Sequence, residues 1–420
     1  MATHKPLFRT ETLGPGLRLH HRRTRAFKTV SARLAFVTEL DDRTASRALI
    51  PRLLSRGTRR FPTLEAIQIE LDRLYGATLG GEARKIGERQ VIQFRSDWVH
   101  DRIAGAPLLE EMGELLAELL HEPADWSAPI FERERQILLD EARAVFDDKA
   151  RYARRRLVEE MCRREPYARA SIGRESEIAA VTSESVREAF DDLVQRAPAE
   201  LFLVGDLTWR DALRFAKRLR LHQRQKLRRL SRPRRVEVGR VRTVREVEEL
   251  NQAKLQLGFR TPIRMGTKRY ASLVLANALF GGTPVGRLFK EVREKASLCY
   301  AISSSVERSK GLVFVQAGID PAAYSKARRM ILKQLQALQD GDIHADSLEQ
   351  ARAMLVSGLR SMHDSPAAVM EFALERSLNG IEPDVERLRD ELLAVHARSI
   401  AAAARTIELD TVYLLTNGSA

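Results

Sequence analysis

One order of segments occurs twice in this chain. After the apolar, strand-like run "VSARLAFVTEL" comes the helical stretch "TASRALIPRLLSRGT", and after "NQAKLQLGFRTP" comes "RYASLVLANALFGGT". Gly57-Thr58 and Gly282-Thr283 stand 225 positions apart, 282 less 57. The next segments keep the correspondence. "LDRLYGATLGGEARKIGERQVIQFRSD" and "VREKASLCYAISSSVERSKGLVFVQAGID" each read as helix end, strand, tight turn and strand, with apolar and polar residues alternating around a charged Lys/Gly turn.

Long amphipathic helices follow in both halves, "IAGAPLLEEMGELLAELL" with "IFERERQILLDEARAVF", then "YSKARRMILKQLQALQ" with "ADSLEQARAMLVSGLRSM". Their apolar residues recur at the helical spacing i, i+3, i+4, i+7. Each half closes on a further apolar strand, "AELFLVGDL" and "TVYLLTNG". A pattern used twice must build the same layered unit twice. The expected fold class is therefore α+β: two homologous domains, each a mostly antiparallel sheet with helices packed on one face. The domains are placed at residues 10–225 and 238–420. A basic linker, 226–237, carrying Ser231 and Pro233, joins them.

The 420 residues suit two domains, and 44% hydrophobic residues with 30% charged ones describe a soluble globular chain. No run reaches the length of a membrane span and no apolar signal segment opens the chain, so a cytoplasmic location is expected. Cys162 and Cys299 lie in different halves and are expected to stay reduced. A net charge of +14 raises the question of nucleic acid. Residues 217–235, "KRLRLHQRQKLRRLSRPRR", hold ten Lys or Arg and no acid. The run has no aromatic for base stacking and no zinc or helix-turn-helix spacing. A solvated helix end and linker is the favoured reading. A basic RNA- or translation-associated binding protein is the alternative.

None of the nine histidines pair at i, i+4 on a helix, and no phosphate loop or nucleophile elbow is present. The stretch "ALIPRLLSRGT" nevertheless resembles the zinc helix of the insulinase and mitochondrial processing peptidase family, the pitrilysin-like zinc metallopeptidases. Active members read His-x-x-Glu-His-x-x-x-x-Gly-Thr there, two zinc ligands around a general base. Here Ala48, Pro51 and Arg52 stand at the His, Glu and His positions. Downstream, "ERQILLDE" is similar to the family's Glu-Arg-x-x-x-x-x-Glu helix, which places Glu141 at the remaining ligand position and Glu134 behind it. One carboxylate beside an arginine cannot hold zinc, so no metal is expected in this chain and Glu141 is expected to pair with Arg52. A solvated helix face is the other reading of Glu134 and Glu141.

The resemblance spans nearly the whole chain and is most marked for the family's Ymf-type branch, through "RALIPRLLSRGT", "LDRLYGATL", "DDKARYARRRLVEEMCRREPYA" and "FGGTPVGRLFKEVREKASLCYA". The last segment is similar to the family's Arg/Tyr element, which implies that Arg293 and Tyr300 bind substrate backbone beside a zinc. It further implies a non-catalytic subunit, half of a clamshell, which binds unfolded polypeptide and pairs with an active zinc-bearing subunit to form a processing peptidase. No cofactor is expected here, the zinc residing in the partner. A homodimeric peptide-binding scaffold is a second version. Read without the family, Arg293 is a helix-end arginine meeting carbonyls or an acid, and Tyr300 a strand tyrosine with a satisfied hydroxyl. Pro51 should force the helix to start late, after a Thr44 or Ser46 cap, or to kink.

Overall fold

The computed structural model describes residues 6–224, 226–231 and 236–418. Strands β1 (Arg9–Gly14), β2 (Leu17–Arg23), β3 (Thr29–Glu39), β4 (Thr78–Ile86), β5 (Arg89–Val99) and β6 (Ala199–Gly205) form one sheet in the order β1-β2-β6-β3-β5-β4. Strands β7 (Arg242–Val247), β8 (Ala253–Arg260), β9 (Cys299–Glu307), β10 (Leu312–Ile319) and β11 (Glu408–Thr416) form the other, in the order β7-β11-β8-β10-β9. Without β1 the first sheet matches the second strand for strand. In each, one pairing is parallel, β2 with β6 and β7 with β11, and the others are antiparallel. The repeat in the sequence is a repeat in space, and the fold is α+β.

The central strand β3 is buried along almost its whole length, with no inside-outside alternation. A strand reads this way when both faces of its sheet are covered. Helices of the same half cover one face, as the sequence pattern requires. The other face is closed by exchange. Helix "KARYARRRLVEEM" (Lys149–Met161) crosses to the second sheet, where Leu157 and Met161 pack with Phe314, Tyr413 and Leu415. Gly258 on β8 makes room for it, since a Cβ there would lie 2.6 Å from the Met161 sulfur. The helix Pro366–Leu378 crosses the other way, setting Met370, Ala373 and Leu374 against Ala35, Phe202 and Val204.

Ion pairs accompany both crossings. Glu165 is buried and takes Arg260 at 2.6 Å and Lys310 at 2.5 Å. Glu371 takes Arg33 at 2.7 Å and Arg84 at 2.6 Å. Burial works to raise the Glu371 pKa, but Arg84 and Arg33 outweigh it and hold the carboxyl below its ordinary range.

Arg228 and Ser231 of the expected linker bond to the first half: the Arg228 amide donates to the Arg196 carbonyl at 2.8 Å, and the Ser231 amide to Glu39 at 2.6 Å. Gln225 and residues 232–235 of the basic run fall outside the described residues. Neither terminal nor internal segments within the described residues contain a helix long and apolar enough to cross a membrane.

Candidate functional site

Helix α1 (Thr44–Leu54) starts seven residues before Pro51, so the expected late start does not occur. Neither Thr44 nor Ser46 caps it; the Thr44 hydroxyl accepts from the Asp41 amide at 3.0 Å, and Ser46 meets Ser185. A helix-interior proline costs about 3 kcal/mol, but Leu49, Ile50, Leu53 and Leu54 are fully buried, at about 1.5–3 kcal/mol each. Burial therefore carries the helix through Pro51. Opposite the ring, edge strand β4 has Gly81, whose Cβ would come within 2.8 Å of Pro51.

Beside α1 runs α2 (Ala128–Ala144), and together with β4 they bound a cavity of about 1050 Å³. Ala48, Pro51, Arg52, Glu134 and Glu141 all line it, so the fold gathers the five positions the family resemblance singled out. The Arg52 guanidinium bonds the Glu141 carboxylate, and a second nitrogen lies 4.0 Å from Glu134. Glu134 is only 3% exposed and is held by Arg56, which the sequence reading missed. The available signal was that Arg56 follows Arg52 by four residues, in the turn that closes α1 after Leu54.

Ala48 and Pro51 offer no donor, Arg52 is a fixed cation, and both carboxylates are already neutralised by arginine. These residues do not fit zinc, which needs three electron-donating protein ligands. Among the described residues no three His, Cys, Asp or Glu side chains gather where a metal could sit.

The far wall of this cavity comes from β4 and from α3, the crossing helix Lys149–Met161. Lys85 donates to the carbonyls of Tyr167 at 2.9 Å and Arg169 at 3.0 Å, and burial lowers its pKa to about 8. Arg154 stacks over the Phe314 ring, and burial lowers its pKa to about 10.

The matching place in the second half is built differently. Helix α4 (Tyr270–Asn277) runs into a π-helical turn, Ala278–Gly282, and a second π-helical segment, Leu288–Lys295, leads to edge strand β9. π-Helical turns recur at functional sites because they re-aim side chains. The glycine-rich stretch "FGGTPVG" joins the two segments. Gly286 is required there, since its Cβ would lie 2.9 Å from the Gly281 backbone.

Arg293 and Tyr300 line a cavity of about 490 Å³ together with Phe289, Lys254 and Gln316. The Arg293 guanidinium sits 4.7 Å from the centre of the Phe289 ring, and Tyr300 is 76% exposed. Neither has an ion pair or a side-chain hydrogen bond among the described residues. Among the described residues the Arg293 side chain thus has no carbonyl or acid partner, and the Tyr300 hydroxyl is left to solvent. Ala150 lines this cavity while Arg151 lines the first, so the opening turn of α3 separates the two.

Much of the basic run is engaged within the protein. Arg218 binds Glu114 at 2.6 Å, Arg224 reaches the Ala197 carbonyl at 2.6 Å, and Arg228 binds Asp192 at 2.9 Å.

A duplicated α+β fold with a degenerate zinc helix defines a metallopeptidase-like protein. Residues 180–355 match the Peptidase M16 inactive domain. Over 407 residues the chain is 32% identical to the "Probable inactive metalloprotease YmfF" of Bacillus subtilis strain 168, with 95% of this chain and 96% of that protein covered. It is 25% identical over 163 residues, 38% of this chain and 40% of the relative, to YmxG of the same organism, described as an uncharacterized zinc protease. The crystal structure of a conserved protein from Enterococcus faecalis V583 has a TM-score of 0.88 at 26% identity, over 99% of each chain. That of a peptidase M16 inactive domain from Pseudomonas fluorescens has 0.81 at 18% identity, over 98% of this chain and 99% of the other. The chain belongs to the M16 peptidase family, as an inactive metalloprotease-like member.

Proposed function

We propose that this chain is the non-catalytic subunit of a two-chain M16 processing peptidase. It binds an extended polypeptide and presents Arg293 and Tyr300 to a zinc held by an active subunit of the same family. The observation that carries this reading is the contrast between the two cavities. The helix at the family's zinc position has no donors, whereas Arg293 and Tyr300 line a cavity with no ion pair or side-chain hydrogen bond among the described residues. A guanidinium can bind a substrate carbonyl through paired N–H donors, and a phenol can donate to the oxyanion that develops as the carbonyl is attacked. An active member would supply the zinc-bound nucleophile. That B. subtilis has both an inactive relative and one described as a zinc protease supports a division of labour.

The test is zinc content and cleavage of an unstructured peptide by the purified chain alone and mixed with the zinc-bearing family member from the same source. Cleavage only in the mixture, falling about 100-fold for Arg293→Ala or Tyr300→Phe, is the expected result for a lost oxyanion contact. Stoichiometric zinc with cleavage by the chain alone would overturn the reading. Full activity of the mixture with Arg293→Ala would remove its central residue.

A further inference from the structure

The first cavity has exchanged one chemistry for another. Its acids are all matched: Glu141 by Arg52, Glu134 by Arg56, and Glu82 by Arg95. Its cations are not all in ion pairs. Arg155 binds Glu159 at 3.0 Å, whereas Lys85 meets two carbonyls and the Tyr167 ring and Arg154 meets the Phe314 ring, both feeling the Glu307 carboxyl without an ion pair to it; the side chain of Arg151 has no partner among the described residues. Six basic and three acidic side chains line the cavity, which leaves three positive charges over. They sit together on the wall formed by β4 and α3, across from the former zinc helix.

We propose that this cavity is an oxyanion site in which Arg151, Arg154 and Lys85 hold an acidic side chain of the bound polypeptide. The inference rests on the polypeptide-binding reading above and adds the substrate class. Where active relatives polarise a carbonyl with a metal, this chain offers guanidinium and ammonium donors, which form short, charge-assisted bonds to carboxylates. Partial burial makes those bonds stronger than at an open surface, because less water competes.

The placement of α3 adds a geometric term. Its consecutive residues Ala150 and Arg151 line the Arg293/Tyr300 cavity and the cationic cavity respectively. A helix is about 10 Å across and an extended chain advances about 3.3 Å per residue. One peptide held at Arg293 and Tyr300 can thus place an acidic side chain in the cationic cavity about three residues away.

The experiment measures binding of two fluorescent, unstructured peptides to the full-length chain, identical except that one carries Asp and Glu where the other carries Asn and Gln. The expected result is an affinity about tenfold higher for the acidic peptide, reduced to near parity in Arg151→Glu. Arg151 is exposed and its side chain unpartnered, so this variant should remain folded; Lys85→Met gives the same readout from another element. Arg102→Glu, a surface charge change of equal size outside the cavity, should keep the preference and so separates a local site from the field of a +14 chain. Equal binding of both peptides, or loss of the preference in Arg102→Glu as much as in Arg151→Glu, would overturn the inference and leave polypeptide binding standing. Binding of neither peptide would overturn both.

Discussion

The two cavities occupy equivalent places in the repeat, each against the last antiparallel strand of its sheet, β4 in one half and β9 in the other. In the first, the helix facing the strand has been sealed: apolar side chains carry it through Pro51, and arginines neutralise both carboxylates of its neighbour. In the second, the equivalent helix is broken by π-helical turns, and Arg293 and Tyr300 have no ion pair or side-chain hydrogen bond among the described residues. The difference shows how burial and exposure treat charged side chains differently. A buried carboxylate must find another cation or become costly, so the degenerate zinc corner is stabilised by new contacts. A solvated guanidinium and phenol carry no such penalty and can stay available for a ligand.

The strongest way to break this contrast is to reverse the sealing. Ala48→His, Pro51→Glu and Arg52→His together restore two imidazoles beside Glu141, three ligands in all, and the variant should bind about one zinc per chain by elemental analysis. A folded variant without bound zinc would mean the first cavity is not a degenerate metal site. Next in size is Arg56→Ala. It leaves buried Glu134 with only Arg52 at 4.0 Å and should cost about 3 kcal/mol in urea unfolding. A loss below about 1 kcal/mol would contradict the sealed corner.

A pH series sharpens the picture of the cationic wall. Burial lowers the Lys85 pKa from 10.5 to about 8, so between these values the unfolded chain keeps a proton that the folded chain has released. Stability should rise over that window, by on the order of 1 kcal/mol more in the parent than in Lys85→Met when unfolding is compared at about pH 8 and about pH 10. Arg52→Ala comes next. Its partner Glu141 is half exposed, so the loss should be at most about 1 kcal/mol, and an unchanged unfolding curve would show the pair to be energetically idle. The smallest effects belong to the second cavity. Arg293→Ala and Tyr300→Phe should stay within about 0.5 kcal/mol of the parent, since both side chains are exposed and the one contact removed is the Arg293 guanidinium over the Phe289 ring. A loss near that of Arg56→Ala would make Arg293 a structural residue.

Much of this was legible along the chain. The repeated order of strand, helix, hairpin, helices and strand corresponds to the shared sheet topology, and the missing donors at Ala48 and Pro51 are evident from residue type. The late start expected from Pro51 does not occur, because a proline's local penalty is visible in sequence while the four fully buried side chains that offset it are a property of packing. Arg56 was missed because its partner lies 78 residues away, and with 71 basic and 57 acidic residues no spacing rule selects one pair.

The sequence by itself determined the duplicated α+β fold and the lack of metal-donor side chains at Ala48, Pro51 and Arg52, since periodicity and residue type are local properties that survive any packing. Only the tertiary structure decided that a helix from each half crosses to the other sheet, that Arg56 neutralises Glu134, and that Lys85, Arg151 and Arg154 share one wall of a cavity. These facts depend on which distant surfaces meet, and that choice is made by the burial and charge balance of the whole chain.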